Sequence, residues 1–243
     1  MLFALSLMTL SLYPFFEFYR SGNPYHLAAV QELQDAMPAD LLNDDAEWFQ
    51  TWKQSGLAVR TYGVPYYSQY FDDDSGFGYR RCFTYAAAMV AAFHGKVETA
   101  AEYNKLRIRY GSSVSVDAQL LTLRALGLKA EFRQDADEAA IEAELMSGRP
   151  VLVGWLHKGN LLRGEPPECD SYACGHWSVI TGMNGGLDSE WIMHDPAGTP
   201  APEHGGHVTK IGGKGTIYPR ATFRQRWMVD GPGTGWMITV REP

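Results

Sequence analysis

The sequence predicts an α+β fold, with most helices early in the chain and a mostly antiparallel sheet after them. Two patterns carry this reading. Before residue 127 the apolar residues recur mainly at helical spacing. After it, strand-length apolar runs dominate, separated by Gly, Pro, Asn and Asp. A third observation removes the nucleotide-binding α/β folds, because no Gly-rich loop joins a strand to a helix. With 243 residues, 45% of them hydrophobic, the chain can build one large domain, or one domain with a small appendage. The same content excludes disorder, and three cysteines are too few for a disulfide scaffold. A net charge of −7 repels a phosphate backbone, so nucleic acid is not an expected partner. Three is also an odd number, which leaves at least one thiol unpaired within the chain.

The elements follow in chain order. The first sixteen residues, MLFALSLMTLSLYPFF, fall short of the ~20 apolar residues of a membrane span. They also lack the preceding Lys or Arg of a signal peptide. They read as an apolar segment that packs on the core or on a neighbouring chain. Residues 21–60 read as a helical appendage, which divides the chain into 1–60 and a main domain over 61–243. Asn23-Pro24 is a helix start, Leu27, Val30, Leu33 and Met37 follow at helical spacing, and Pro38 stops the run. Asn43 can cap a second helix, where Trp48 and Trp52 stand four apart as core anchors and Gly56 ends it. The strongest helix is FTYAAAMVAAFHG, with Ala86, Met89, Val90 and Phe93 as its buried stripe and Gly95 at its left-handed end. Further helices fit 98–108, 116–126 and 137–146, the last two closed by Gly127 and Gly148. Strands fit LKAEFR at 128–133, VLVGWLH after Pro150, and then HWSVITGM, EWIMHD and GWMITVRE.

Three residues on these elements form a candidate constellation. Cys82 lies at the start of the Ala-rich helix, where unpaired backbone N–H groups and the positive end of the macrodipole favour thiolate. Arg80 and Arg81 precede it and add positive charge. A thiolate nucleophile needs a base, and the base needs an orienting group. His176 opens one strand, and Asp195 ends the next, just before a Pro-Gly-containing turn. Adjacent antiparallel strands bring the two together near one rim. Taken singly, each residue has an ordinary explanation: a buried thiol, a core histidine, a turn aspartate. Together, in this order on these elements, they point to cysteine catalysis.

The motifs VPYYSQ, YRRCFTYAAAMV, RPVLVGWLH, GHWSVITGM and HDPAG resemble the papain-like cysteine peptidases. Within that group they are similar to the double-glycine leader peptidases of bacteriocin exporters, whose stand-alone members occur in bacteria and phages. The resemblance covers roughly residues 62–241. It implies a papain-like fold in which a helical half carries Cys82 and an antiparallel sheet carries His176 and Asp195. It implies Cys82 as nucleophile, His176 as base and then acid, Asp195 as its orienter, and Gln69 as an oxyanion donor beside the Cys82 backbone N–H. Two departures stand out. Gln69 precedes Cys82 by thirteen residues, so the intervening DDDSGFGYRR must fold back. Phe83 stands where a Gly often follows the nucleophile, which is expected to narrow the cleft. The implied substrate is a peptide, with the peptidoglycan cross-link peptide preferred and an extracytoplasmic or virion-associated setting favoured. No cofactor is implied. The alternative is a structural or binding module of a phage particle or cell-surface assembly, docking through the N-terminal segment.

The remaining signals are weaker. Asp72, Asp73, Asp74, Ser75 and Gly76 lack the spacing and distal Glu of a calcium loop. His194, His204 and His207 have no metal-ligand spacing, and their Gly/Pro-rich segment reads as a solvated loop. No metal site is expected. Cys169 and Cys174 flank a tight loop before His176 and fit either a disulfide or two free thiols.

Overall fold

The computed structural model describes residues 58–72, 78–169, 174–184 and 189–243. The expected N-terminal segment, the two appendage helices with Trp48 and Trp52, and most of the acidic 72–76 run lie outside these residues. Most of the described part follows the predicted order, with one correction: residues 58–60, expected within the helical appendage, form a strand of the main sheet because they pair with Gly182–Asn184. A short strand, β1 (Ala58–Arg60), leads into a long loop and a 3₁₀ turn (Gly78–Arg80). Helices α1 (Cys82–Phe93), α2 (Ala100–Arg107) and α3 (Val116–Ala125) follow. Strand β2 (Lys129–Ala136), helix α4 (Glu138–Met146) and strands β3 (Val151–Leu156), β4 (Gly175–Asn184) and β5 (Glu190–His194) come next. A hairpin of β6 (Thr199–Pro200) and β7 (His207–Thr209) leads to β8 (Thr216–Pro219), helix α5 (Arg220–Trp227) and β9 (Gly235–Arg241).

Seven strands form one antiparallel sheet in the order β2-β9-β3-β4-β5-β8, with β1 paired to β4 beside that path. Strand β4 is the longest and is nearly all buried, as its apolar run requires. Its bulge between Ile180 and Gly182 shifts the register against β5. The α1 helix packs on β3 and β4 and on α2 and α3. Its stripe is wider than the sequence pattern indicated. Every residue from Phe83 to Ala91 is buried, whereas Phe93 is only half-buried. An Ala-rich helix fits such a position because small side chains let a sheet and two helices approach it from all sides.

Helix ends explain why one terminus is chemically special. Thr99, Ser115 and Asp137 cap α2, α3 and α4, each side chain accepting a backbone N–H of the first turn. The cap position of α1 is Arg81, whose side chain makes no capping hydrogen bond. Among the described residues no side chain takes up the first N–H groups of α1, where Cys82 sits. At the other end Gly95 takes the left-handed conformation, with φ 65°, as expected. Helix α5 escaped the sequence reading. Its TFRQRW segment is polar, but Phe223 and Trp227 bury one face and Arg220 and Arg226 are buried as well.

Candidate active site

Strand pairing places the acidic and imidazole groups. In the β3–β4 ladder Trp155 stands opposite His176 and Val153 opposite Ser178, so His176 and Ser178 share one face of β4. Asp195 follows the last residue of the neighbouring strand β5 and is fully buried. His176 Nε2 lies 2.8 Å from Asp195 Oδ1. A carboxylate can only accept here, so Nε2 carries the proton. Ser178 Oγ donates to Asp195 Oδ2 at 3.0 Å, and the Ala197 backbone N–H donates to Oδ1 at 2.8 Å. Trp155 Nε1 in turn donates to Ser178 Oγ at 3.1 Å, which directs the serine proton at the carboxylate. Burial alone would raise the Asp195 carboxyl, but His176 and His207 overcome it and hold it far below the ordinary carboxylate value.

Cys82 is a half-buried free thiol on the first residue of α1, within hydrogen-bond reach of His176. With Nε2 engaged by Asp195, Nδ1 is the ring nitrogen left for the sulfur. Burial opposes charge on His176, yet the negative charges of Asp195 and Cys82 prevail and push its pKa up to about 10. Trp155 and His176 pack perpendicular to each other, with centroids 5.2 Å apart, and His157 stacks near-parallel at 5.6 Å. The imidazole is thus held by ring contacts as well as at its nitrogens.

Gln69 is buried on the same rim. Its backbone N–H donates to the Pro196 carbonyl at 2.9 Å, one residue beyond Asp195. The Tyr70 hydroxyl lies against the Gln69 amide, close enough to Cys82 and Asp195 to feel their charge. The loop after Gln69 does return. Gly78 presses on it so closely that an added Cβ would lie 1.8 Å from the Gln69 carbonyl oxygen. Tyr66 donates to the Asp195 carbonyl at 3.1 Å, and burial beside Asp195 raises its own pKa to about 12.

Two expectations need correction. Phe83 does not narrow the cleft: it is 1% exposed and stacks face to face on Trp177, ring centroids 3.8 Å apart, so it belongs to the core. His207 is not in a solvated loop, since its Nε2 lies 3.1 Å from Asp195 Oδ1. Of the other two histidines set aside there, His194 bonds to the Val64 carbonyl and the Gly215 N–H, and His204 is exposed. Among the described residues, His176, Asp195 and His207 are the group whose ligand atoms come within 4.8 Å of one another. Hydrogen bonds from both rings to Oδ1 account for that convergence. Cys169 and Cys174 form a disulfide. Ser178 and His207 were missed from sequence. The i, i+2 spacing of His176 and Ser178 on a strand was a usable signal for the first.

Comparison with known proteins identifies the fold's family. Residues 58–208 match the family model described as papain-like cysteine protease AvrRpt2. The chain belongs to this family. It is a cysteine peptidase, a hydrolase, as the motifs implied. Among curated protein sequences none matches. Among solved structures, a putative C39-like peptidase from Bacillus anthracis overlays with a TM-score of 0.51 at 13% identity, covering 77% of this chain and 98% of that one. That likeness shows the papain-like fold. The peptidase domain of Streptococcus ComA, a bi-functional ABC transporter, overlays at 0.43 with 17% identity over 68% of this chain and 93% of its own. A double glycine motif protease from an AMS/PCAT transporter overlays at 0.41 with 15% identity over 77% and 99%.

Proposed function

We propose that this peptidase hydrolyses peptide bonds through Cys82, His176 and Asp195, with Gln69 assisting. The observation that carries the reading is a single imidazole bridging a helix-start thiol and a buried carboxylate. The Cys82 thiolate attacks the scissile carbonyl carbon, forming the S–C bond. The oxyanion is held by the Cys82 backbone N–H and the Gln69 side-chain amide. His176 passes its proton to the leaving amine as the C–N bond breaks. Water then attacks the thioester, His176 takes its proton, and the acid leaves as the thiolate returns. Asp195 holds the ring in orientation and stabilises its positive charge.

Family membership does not favour the alternative structural-module role. Within the peptide class, the peptidoglycan cross-link peptide is the first substrate to test, on the resemblance to stand-alone bacterial and phage relatives. The experiment pairs iodoacetamide labelling near pH 6 with digestion of purified peptidoglycan and a peptide panel. The expected result is selective alkylation of Cys82 and loss of both labelling and cleavage in Cys82→Ala. Cleavage retained in Cys82→Ala, or a Cys82 no more reactive than a free thiol, overturns the proposal. Release of peptides from the panel but not from peptidoglycan overturns only the substrate preference.

A further inference from the structure

Asp195 serves two imidazoles. Its Oδ1 accepts from His176 Nε2 at 2.8 Å, from His207 Nε2 at 3.1 Å and from the Ala197 N–H at 2.8 Å. The His207 ring is only 14% exposed, and its centroid lies 4.9 Å from that of His176. Its backbone is fixed for this contact. The N–H of Gly206 donates to the His157 carbonyl at 2.6 Å, and the preceding Gly205 packs so closely that an added Cβ would lie 2.4 Å from the Gly159 carbonyl oxygen. The turn before β7 is therefore pinned to the chain that leaves β3, beside His176.

We propose that His207 is a positioning residue for the Cys82–His176 pair: as an Nε2–H donor it fixes the Asp195 carboxylate and draws part of its charge away from His176. The inference rests on the reading of Cys82 and His176 given above. A carboxylate that also accepts from a second N–H is a weaker partner for the imidazolium than one facing it alone. Removing His207 leaves Asp195 freer to turn and more strongly attractive to the charged ring. His176 then holds its proton more tightly and is a poorer acid towards the leaving amine. Other titratable groups face the His176–Asp195 pair from every side: Tyr66 and Tyr70 from the loop after β1, Cys82 from α1, His157 after β3 and Tyr218 from β8. The comparison between variants holds all of them constant.

The test uses the full chain labelled with ¹⁵N-histidine, with imidazole spectra recorded across pH 5–11 for wild type, His207→Ala and His207→Gln. In the wild type at neutral pH, His207 is expected to carry its proton on Nε2. In His207→Ala the His176 titration moves upward by about 0.5 to 1 pH unit. In the same variant kcat falls about ten- to a hundredfold while KM stays within about twofold. His207→Gln, which keeps a donor near the same point, restores both. A bare Nε2 on His207 in the wild type overturns the proposal, and that measurement needs no variant to fold. So does a His176 titration in His207→Ala that coincides with wild type. Absence of Cys82 reactivity in the wild type overturns the parent reading instead.

Discussion

Asp195 concentrates the chemistry of the site in one side chain. It is fully buried and accepts from His176, His207, Ser178 and Ala197. Its charge is one of the two that keep His176 protonated to about pH 10. Asp195→Asn keeps the shape and an acceptor oxygen but removes the charge. The imidazolium loses an attractive partner, so the His176 pKa falls and the alkaline limb of kcat/KM moves to lower pH. We expect kcat/KM at neutral pH to fall about a hundredfold, between loss of orientation alone and loss of the whole group. A pH profile on a peptide substrate checks both; an alkaline limb that stays in place contradicts the charge argument. The candidate residues themselves were legible in sequence because each sits at an element boundary: Cys82 at a helix start, His176 at a strand start and Asp195 at a strand end. His207 was not, because what brings it to Asp195 is the packing of Gly205 and Gly206 on the chain after β3, which no local pattern encodes.

The elements around the site are tied by two devices that differ in what they control. Gly78 opens the 3₁₀ turn that feeds α1 and lies against the Gln69 carbonyl. Gly78→Ala puts a methyl group into backbone, so either Gln69 or the turn that feeds Cys82 must shift, which changes the spacing between them. The expected outcome is a kcat reduced at least about tenfold with KM little changed, since the oxyanion contact proposed for Gln69 would be made only in the transition state. Thermal unfolding should move by only a few degrees, and steady-state kinetics beside a melting curve separates the two effects. Arg226 controls stability instead. Its guanidinium is fully buried in α5 and donates to the carbonyls of Lys158, Gly159 and Pro202 at 2.6–2.9 Å. Arg226→Met leaves these carbonyls without their charged donor and is expected to cost about 3 kcal/mol or more. The urea midpoint at constant m-value measures it. Helix α5 was illegible in sequence for the same reason that makes it matter: two of its inward-facing residues are arginines, so apolar periodicity does not reveal the buried face. The α1–α4 helices, by contrast, carry Gly or side-chain cap signals, and their observed bounds lie within two residues of those expected.

At the scale of the whole molecule, the order of helices then strands was readable, whereas the register of seven strands was not. The alternation of His176 and Ser178 sets their face, but only the long-range pairing of β3, β4 and β5 decides what that face meets. That pairing assembles buried titratable groups of opposite tendency, and their sum gives stability a pH optimum. His176 has a folded pKa of about 10 against an ordinary 6.5. Its contribution is therefore complete below about 6.5 and is lost as pH rises towards 10. Tyr66, raised to about 12, adds to the alkaline loss above pH 10. His194 has the opposite sign, because burial lowers its pKa below 6.5. The unfolded chain takes up that proton first, so stability falls as pH drops below about 6.5. Asp195, held far below its ordinary 3.8, adds a further loss on the acid side as pH falls through that value and below. The two histidines thus place the maximum near pH 6.5. Urea midpoints measured from pH 4 to pH 9.5 should trace that dome. Asp195→Asn should flatten its alkaline side, because the charge that raises His176 is gone, while the His194-dependent decline below pH 6.5 persists. An alkaline slope between pH 7 and 9 that is the same in both proteins would mean that the Asp195–His176 pair does not link the folded state to protonation.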